Sequence, residues 1–239
     1  MNQEKIISAA FIIIGDEILS GRTSDANLNF LAINLAEMGI NLREVRVVPD
    51  VEEEIIFALN SLRKKFDYIF TSGGIGPTHD DITSLSVAKS FGDKYEKNDE
   101  AEKILIQYYG EGNVNEARLK MAFLPSRALL LDNPLTSAPG FRIENVFVMA
   151  GVPKIFQAMF LAAKKELIGG KIIKSLEIKI AQTESVIAKD FEELQKKYSQ
   201  VAMGSYPFDG GTSLVFRSTN YEVLEQAVSE MKQKLKIQN

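Results

Sequence analysis

Residues 6–14, IISAAFIII, form a near-continuous apolar run. Apolar side chains in both registers leave neither face for water, so the run reads as a strand covered on both sides, the mark of a parallel sheet. An acidic residue precedes it and Gly15-Asp16-Glu17 follows, which makes it a first buried strand and not a signal peptide. The pattern then alternates. Leu28, Leu31, Ala32 and Leu35 fall at helical spacing within about 25–38, and Gly39 stops the helix. Residues 42–48 alternate apolar and charged, as a more exposed strand does. Asp50 stands at an N-cap position with Glu53 at the capping-box position, ahead of a helix carrying Ile55, Ala58, Leu59 and Leu62 on one face.

A strand over 68–71 leads into the glycine-rich run Thr71–Thr83, TSGGIGPTHDDIT, and a helix through Leu85 to Phe91 follows. The middle predicts helices over 101–109 and 114–123, the latter closed by Pro125, and strands over 127–131 and 145–150. Pro153 opens a further helix, where its missing N–H costs nothing. Strand and helix alternate through residue 167, which predicts an α/β domain with a three-layer, mostly parallel sheet. Ile168-Gly169-Gly170-Lys171 reads as a linker, dividing the chain into domains 1–168 and 171–239. Beyond it the order strand (172–181), helix (184–198), strand (200–205), strand (212–218), helix (221–236) predicts a small α+β unit.

Composition narrows the function classes. With 45% apolar and 25% charged residues the chain has an ordinary globular balance, and no window approaches a membrane span. It has no cysteine, which removes disulfides and thiolate metal sites and fits a cytoplasmic setting. A net charge of −4 and a near-neutral C-terminal unit lack the basic footprint of a nucleic-acid binder.

In open parallel sheets ligands bind beyond the carboxyl ends of the strands. Three polar loops fall there: Gly15-Asp16-Glu17 running on to Asn27, the Ser72–Asp81 loop, and Ala150-Gly151-Val152-Pro153. A fourth, Asn133–Phe141, is dense in turn residues and is placed to close over a site. Backbone N–H groups in a glycine turn ahead of a helix suit an anion, usually a phosphate. The glycines also have a purely structural reading as a tight turn, and Asp80 or Asp81 as a helix cap. Oxygen-rich surroundings favour a hard divalent ion such as Mg²⁺ or Mn²⁺ over zinc. His79, the single histidine, excludes a histidine-rich metal site. Arg118 and Lys120 read as a solvated helix face within reach of a phosphate.

Four ordered stretches, GDEILSGRTSDAN (15–27), TSGGIGPTHDDIT (71–83), NPLTSAPGF (133–141) and VFVMAGVP (146–153), resemble the molybdopterin-binding, MoaB/MogA-like domain. The form is that found at the N-terminus of the CinA competence/damage-inducible proteins. Residues 171–239, with GSYPFDGGTSLVF (204–216), resemble the small KH-like domain that follows in CinA proteins. The family's third, amidohydrolase domain is expected to be missing, so amidase activity is not implied. Molybdopterin adenylyltransferases usually carry Arg where this chain has Asp80; the His79-Asp80-Asp81 triplet is instead similar to the domain fused to eukaryotic FAD synthases.

The resemblance implies metal-dependent hydrolysis of a nucleotide diphosphate linkage, in ADP-ribose or FAD, or a molybdopterin- or nucleotide-binding module without turnover. It implies a dimer or trimer. An RNA-binding role for the KH-like unit is disfavoured, since Asp209-Gly210-Gly211-Thr212 lacks the GXXG spacing. Under the hydrolase reading Asp16, Asp80 and Asp81 are the catalytic and metal-holding residues, with Mg²⁺, Mn²⁺ or Co²⁺ as the ion. Gly15, Glu17, Asn27, Ser72, Gly73, Gly74, Gly76, Thr78, Thr136, Ser137 and Gly151 are the expected ligand contacts.

Overall fold

A computed structural model describes residues 6–236. Its first unit, ending at Gly170, begins with β1 (Ile7–Ile14), a one-turn α1 (Asp16–Leu19), α2 (Asn27–Glu37), β2 (Ile40–Val48), α3 (Glu52–Leu62), β3 (Tyr68–Ser72) and α4 (Thr83–Ser90). It continues with β4 (Tyr95–Lys97), α5 (Asp99–Tyr109), α6 (Glu116–Lys120), β5 (Phe123–Pro125), β6 (Leu129–Leu131), β7 (Gly140–Ile143), β8 (Val146–Met149) and α7 (Pro153–Ala163). The main sheet has strand order β2-β1-β3-β8-β7-β6. The pairs β1–β2, β1–β3 and β3–β8 are parallel; β7–β8 and β6–β7 are antiparallel.

The apolar run of β1 explains the three layers. Its side chains alternate across the sheet. Ala10, Ile12 and Ile14 enter a core with Ile55, Leu59 and Leu62 of α3 and Val87 of α4. Ala9, Phe11 and Ile13 enter a second core with Leu31 and Leu35 of α2 and Phe156 and Phe160 of α7. Phe11 meets Phe156 with ring centroids 5.6 Å apart. Each fully buried Ile or Phe stabilises the fold by roughly 1.5–3 kcal/mol, so both faces of β1 hold it centrally.

Three sequence expectations change. Asp50 does not cap α3: the N-cap is Val51, with no side-chain cap bond, and the acidic first turn Glu52–Glu54 answers the helix dipole instead. The helix expected over 114–123 stops at Lys120, and the chain extends into β5, which pairs with β4. The turn-dense 133–141 segment ends in β7, whose Phe141 and Ile143 are buried against β8.

The second unit begins at Lys171. It contains β9 (Lys174–Ile180), α8 (Glu184–Lys197), β10 (Ala202–Phe208), β11 (Gly211–Ser218) and α9 (Tyr221–Lys234). Its antiparallel sheet, in order β10-β11-β9, buries Ile178, Leu214 and Phe216 against Ile187 and Leu194 of α8 and Leu224 and Met231 of α9. β9 thus belongs to a sheet of its own unit. Among the described residues no helix is long and apolar enough to cross a membrane.

Candidate active site

From β1 the chain passes first to β2 on one side and then to β3 on the other. That reversal is a topological switch point, where the turns at the carboxyl ends diverge and leave a crevice. A cavity of about 640 Å³ lies there, within the range of small-ligand sites. Ile14, Gly15 and Glu17 line it after β1, Asp50 after β2, Gly73–Pro77 with Asp80 and Asp81 after β3, and Ala150–Pro153 after β8. Asn133, Thr136, Ala138 and Pro139 add one wall, and Tyr109, Arg118 and Met121 another.

Close approach of backbone at Gly73, and of side chains at Gly74 and Gly76, dictates the glycines. Gly73 has φ +103°, and a Cβ there would stand 2.1 Å from the Ile14 carbonyl oxygen. Side chains rarely adopt that conformation, and nothing in the backbone of β1 can yield to one. A Cβ on Gly76 would meet the Asp81 carboxylate at 2.7 Å, so this glycine lets the loop fold over Asp81. The Gly73 N–H is already committed, donating to the Met149 carbonyl at 3.1 Å. The N–H groups of Gly74, Ile75 and Gly76 have no protein acceptor among the described residues, and these are the donors left for an anion.

The carboxylates differ in their surroundings. Asp81 Oδ2 accepts from the Thr78 N–H at 2.8 Å and from the Thr78 hydroxyl at 2.5 Å, which fixes the carboxylate inside the loop. Lys120 Nζ donates to the Thr78 carbonyl and ties the end of α6 to this loop. Asp80 is exposed. The nearby Thr78 hydroxyl, then its own N–H and the His79 and Lys120 charges, hold its carboxyl below the ordinary value. Asp50 Oδ2 accepts from the Asp16 N–H at 3.0 Å and so caps the turn after β1. Burial pushes the Asp50 carboxyl upward; the Asp16 N–H opposes this, and the charges of Glu17, Asp16 and Asp80 reinforce it.

The sequence-predicted residues separate accordingly. Gly15, Glu17, Gly73, Gly74, Gly76, Asp80, Asp81, Thr136 and Gly151 all line the cavity. Asp16, Asn27, Ser72, Thr78 and Ser137 do not. Asp16 is exposed and offers its N–H to Asp50. Ser72 is buried in β3. Thr78 acts on Asp81. Asn27 is 2% exposed, and its Nδ2 donates to the Gly151 carbonyl at 2.8 Å, pinning the turn before α7; its Oδ1 has no protein partner among the described residues. Ser137, at φ 57°, bends the loop that Asn133 organises. Asn133 donates to Thr136 Oγ1 at 2.6 Å and to the Ala138 carbonyl at 2.8 Å. His79 is almost fully exposed.

Sequence reasoning missed Asp50, because its position also suits a helix cap, and Tyr109 and Met121, which carry no local signal. Arg118, on a helix face expected to be solvated yet within reach of a phosphate, is among the described residues the single cationic side chain lining the cavity, against Glu17, Asp50, Asp80 and Asp81. Asp81 also borders a second cavity, of about 510 Å³, together with His79, Lys120 and the apolar side chains of Leu85, Leu119 and Phe123. Among the described residues no three His, Cys, Asp or Glu side chains stand together as a ready-made metal site. The expected trio of Asp16, Asp80 and Asp81 is therefore not preassembled.

Residues 10–169 match the family model described as a probable molybdopterin binding domain. The chain belongs to that family. Residues 173–239 match the FAD synthase middle domain. A Pyrococcus abyssi protein is 33% identical over 242 residues, covering 94% of this chain and 96% of its own length. A Caenorhabditis elegans protein named probable FAD synthase is 31% identical over 258 residues, covering 95% of this chain but 50% of its own length. A Pyrobaculum calidifontis relative is 38% identical over 159 residues, covering 64% of this chain and 61% of its own length. The chain thus spans about half of the nematode relative and nearly all of the Pyrococcus one. Among solved structures, a CinA protein of unknown function from Thermoplasma acidophilum superposes with a TM-score of 0.64 at 34% identity, covering 66% of this chain and 96% of that one.

Proposed function

We propose that the chain is a divalent-cation-dependent hydrolase of a nucleotide diphosphate linkage, with an ADP-ribose- or FAD-like substrate. One observation carries this reading: four carboxylates and a single arginine surround a cavity at the sheet's switch point, beside three uncommitted glycine-loop amides. A diphosphate entering alone would meet net repulsion from Glu17, Asp50, Asp80 and Asp81. A cation between them turns the same carboxylates into ligands. The probable FAD synthase relatives support a dinucleotide as the ligand class.

The donor set suits an ion that arrives with its substrate. Mg²⁺ is commonly held by one or two carboxylates plus substrate phosphates, and does not need a cage of three protein ligands. Asp81, with one oxygen fixed by Thr78 and the other uncommitted, and Asp80, kept ionised, are the residues that would hold it. Such an ion supplies charge neutralisation and Lewis acidity toward water and phosphate oxygens. The chain's own groups do the rest. The Gly74–Gly76 amides and the N-terminus of α7 hold phosphate oxygens. Asp50 fixes the turn that carries Glu17, whose carboxylate lines the cavity and would orient water.

The absence of a preassembled ligand trio among the described residues favours a second reading, a pterin- or nucleotide-binding module without turnover. A panel separates the two: purified protein against ADP-ribose, FAD, NAD and molybdopterin-AMP, with Mg²⁺, Mn²⁺, Co²⁺ or chelator. The hydrolase reading expects metal-dependent release of a nucleoside monophosphate from at least one. Binding without turnover in every arm replaces it with the module.

A further inference from the structure

The wall formed by Tyr109, Arg118 and Met121 has a chemistry that diphosphate cleavage does not use. Tyr109 is the last residue of α5, and the Arg118 guanidinium carbon lies 4.1 Å from its ring centroid. Tyr108 packs edge-on against the same ring, with centroids 4.8 Å apart and planes at 81°. The Arg118 guanidinium is restrained by the Tyr109 ring on one face and by one hydrogen bond, while the backbone N–H ties the residue to the cap of α6. Its Nη1 donates to the Asn113 carbonyl at 2.6 Å, and its N–H donates to Asn115 Oδ1 at 2.9 Å. Asn113 in turn donates through Nδ2 to the Tyr109 carbonyl at 3.0 Å. A guanidinium fixed in this way has little rotamer freedom left to lose on binding. One face of it lies against the Tyr109 ring, and Tyr109, Arg118 and Met121 all line the cavity.

Planar cations seated on aromatic rings, with a polarisable thioether nearby, suit a flat heteroaromatic ring. A phosphate would call for the opposite: a guanidinium edge free to form a fork of parallel N–H bonds. Here one of the five N–H donors, on Nη1, is spent on the Asn113 carbonyl and one face of the group lies against the Tyr109 ring, so the stacking face is set while fewer donors remain for a fork.

We infer that Tyr109 and Arg118 form the platform on which the nucleobase of the substrate stacks, and that Arg118 sets specificity for a ring-bearing ligand over a bare diphosphate. The inference rests on the nucleotide reading of the same cavity. It makes Arg118 a recognition residue, distinct from the carboxylates placed at the reacting bond.

The test uses two probes, ADP and inorganic diphosphate, each titrated with Mg²⁺ into the full chain and into Arg118→Lys and Tyr109→Leu. Lysine keeps the charge and removes the plane. The expected result is that ADP binds the parent more tightly than diphosphate does. Each variant should then weaken ADP about tenfold or more, leaving diphosphate within about twofold. Circular dichroism melts confirm that the variants are folded; Arg118→Lys, half-exposed and isosteric in its stem, is the deciding variant if Tyr109→Leu unfolds. Equal losses for both probes, or parent affinities that are equal or undetectable, would overturn the platform. The outcome is separable from the hydrolase reading: a parent that binds ADP through Arg118 yet cleaves nothing keeps the platform and loses the reaction.

Discussion

Two walls of one cavity are built by different rules. The glycine wall, Gly73 to Asp81 with Gly15 and Gly151, sits on the ends of parallel strands, and close approach of backbone or side chain dictates its glycines. Gly151 carries a milder form of the constraint at Gly73, since a Cβ there would stand 3.2 Å from the Gly73 Cα, a tight contact without the left-handed φ. The helical wall, Tyr109, Arg118 and Met121, rests on side-chain hydrogen bonds and ring contacts between short helices. The first wall is least tolerant at Gly73, where an added Cβ meets backbone that cannot turn aside. The second is set by what its side chains present.

The largest expected break in this comparison is Gly73→Ala. It combines an unfavourable φ with a clash on a β1 carbonyl, so a loss of about 3 kcal/mol or more in urea unfolding is expected. A loss below about 1 kcal/mol would show that the β1–β3 junction relaxes freely. On the helical wall, Asn98→Ala removes the cap that accepts from the N–H groups of Glu100 and Ala101 at the start of α5. It should cost about 1 kcal/mol by the same measurement. If the wall positions ligand, the same variant raises KM more than it lowers kcat.

The smallest effect concerns Asp50, between the two turns. Its carboxyl is raised in the fold, so ionisation is disfavoured there. The folded state then holds its proton more tightly than the unfolded chain, and the parent loses stability as pH rises from the ordinary value of 3.8 through the raised one. Asp50→Asn, which keeps an acceptor for the Asp16 N–H, should gain relative to the parent across that window, by less than about 1 kcal/mol for a partly screened group. Urea unfolding in chelator at pH 3.5 and pH 7 reads the difference; a gain of equal size at both would refute the electrostatic origin.

What the sequence made legible follows the same division. β1, α2, α3, β3 and α7 were readable because period 2 and period 3.6 patterns record burial directly. The glycine loop was readable because a tight strand-to-helix turn requires glycine where backbones meet. Asp50 was misread because one residue type satisfies both a cap and a turn contact, and only the approach of Asp16 decides between them. β7 was hidden by the turn residues Pro139 and Gly140 at its start. Tyr109, Arg118 and Met121 were invisible as a set, since their convergence depends on how α5 and α6 pack and no local period encodes it. Asp16 is not brought together with Asp80 and Asp81 in the cavity lining: both loops follow strands of one sheet, but the Asp16 side chain is exposed and only its N–H reaches Asp50.

The central claim is that the cavity cleaves a diphosphate through the Asp80–Asp81 loop. Its most direct test is nucleoside monophosphate release from ADP-ribose and FAD by the parent and Asp81→Asn, side by side, in Mg²⁺ or Mn²⁺ and in chelator. The account predicts release by the parent only with metal. Asp81→Asn, though folded, should lose at least about a hundredfold and its metal response together. Equal rates for parent and variant, or parent activity indifferent to chelator, would contradict it.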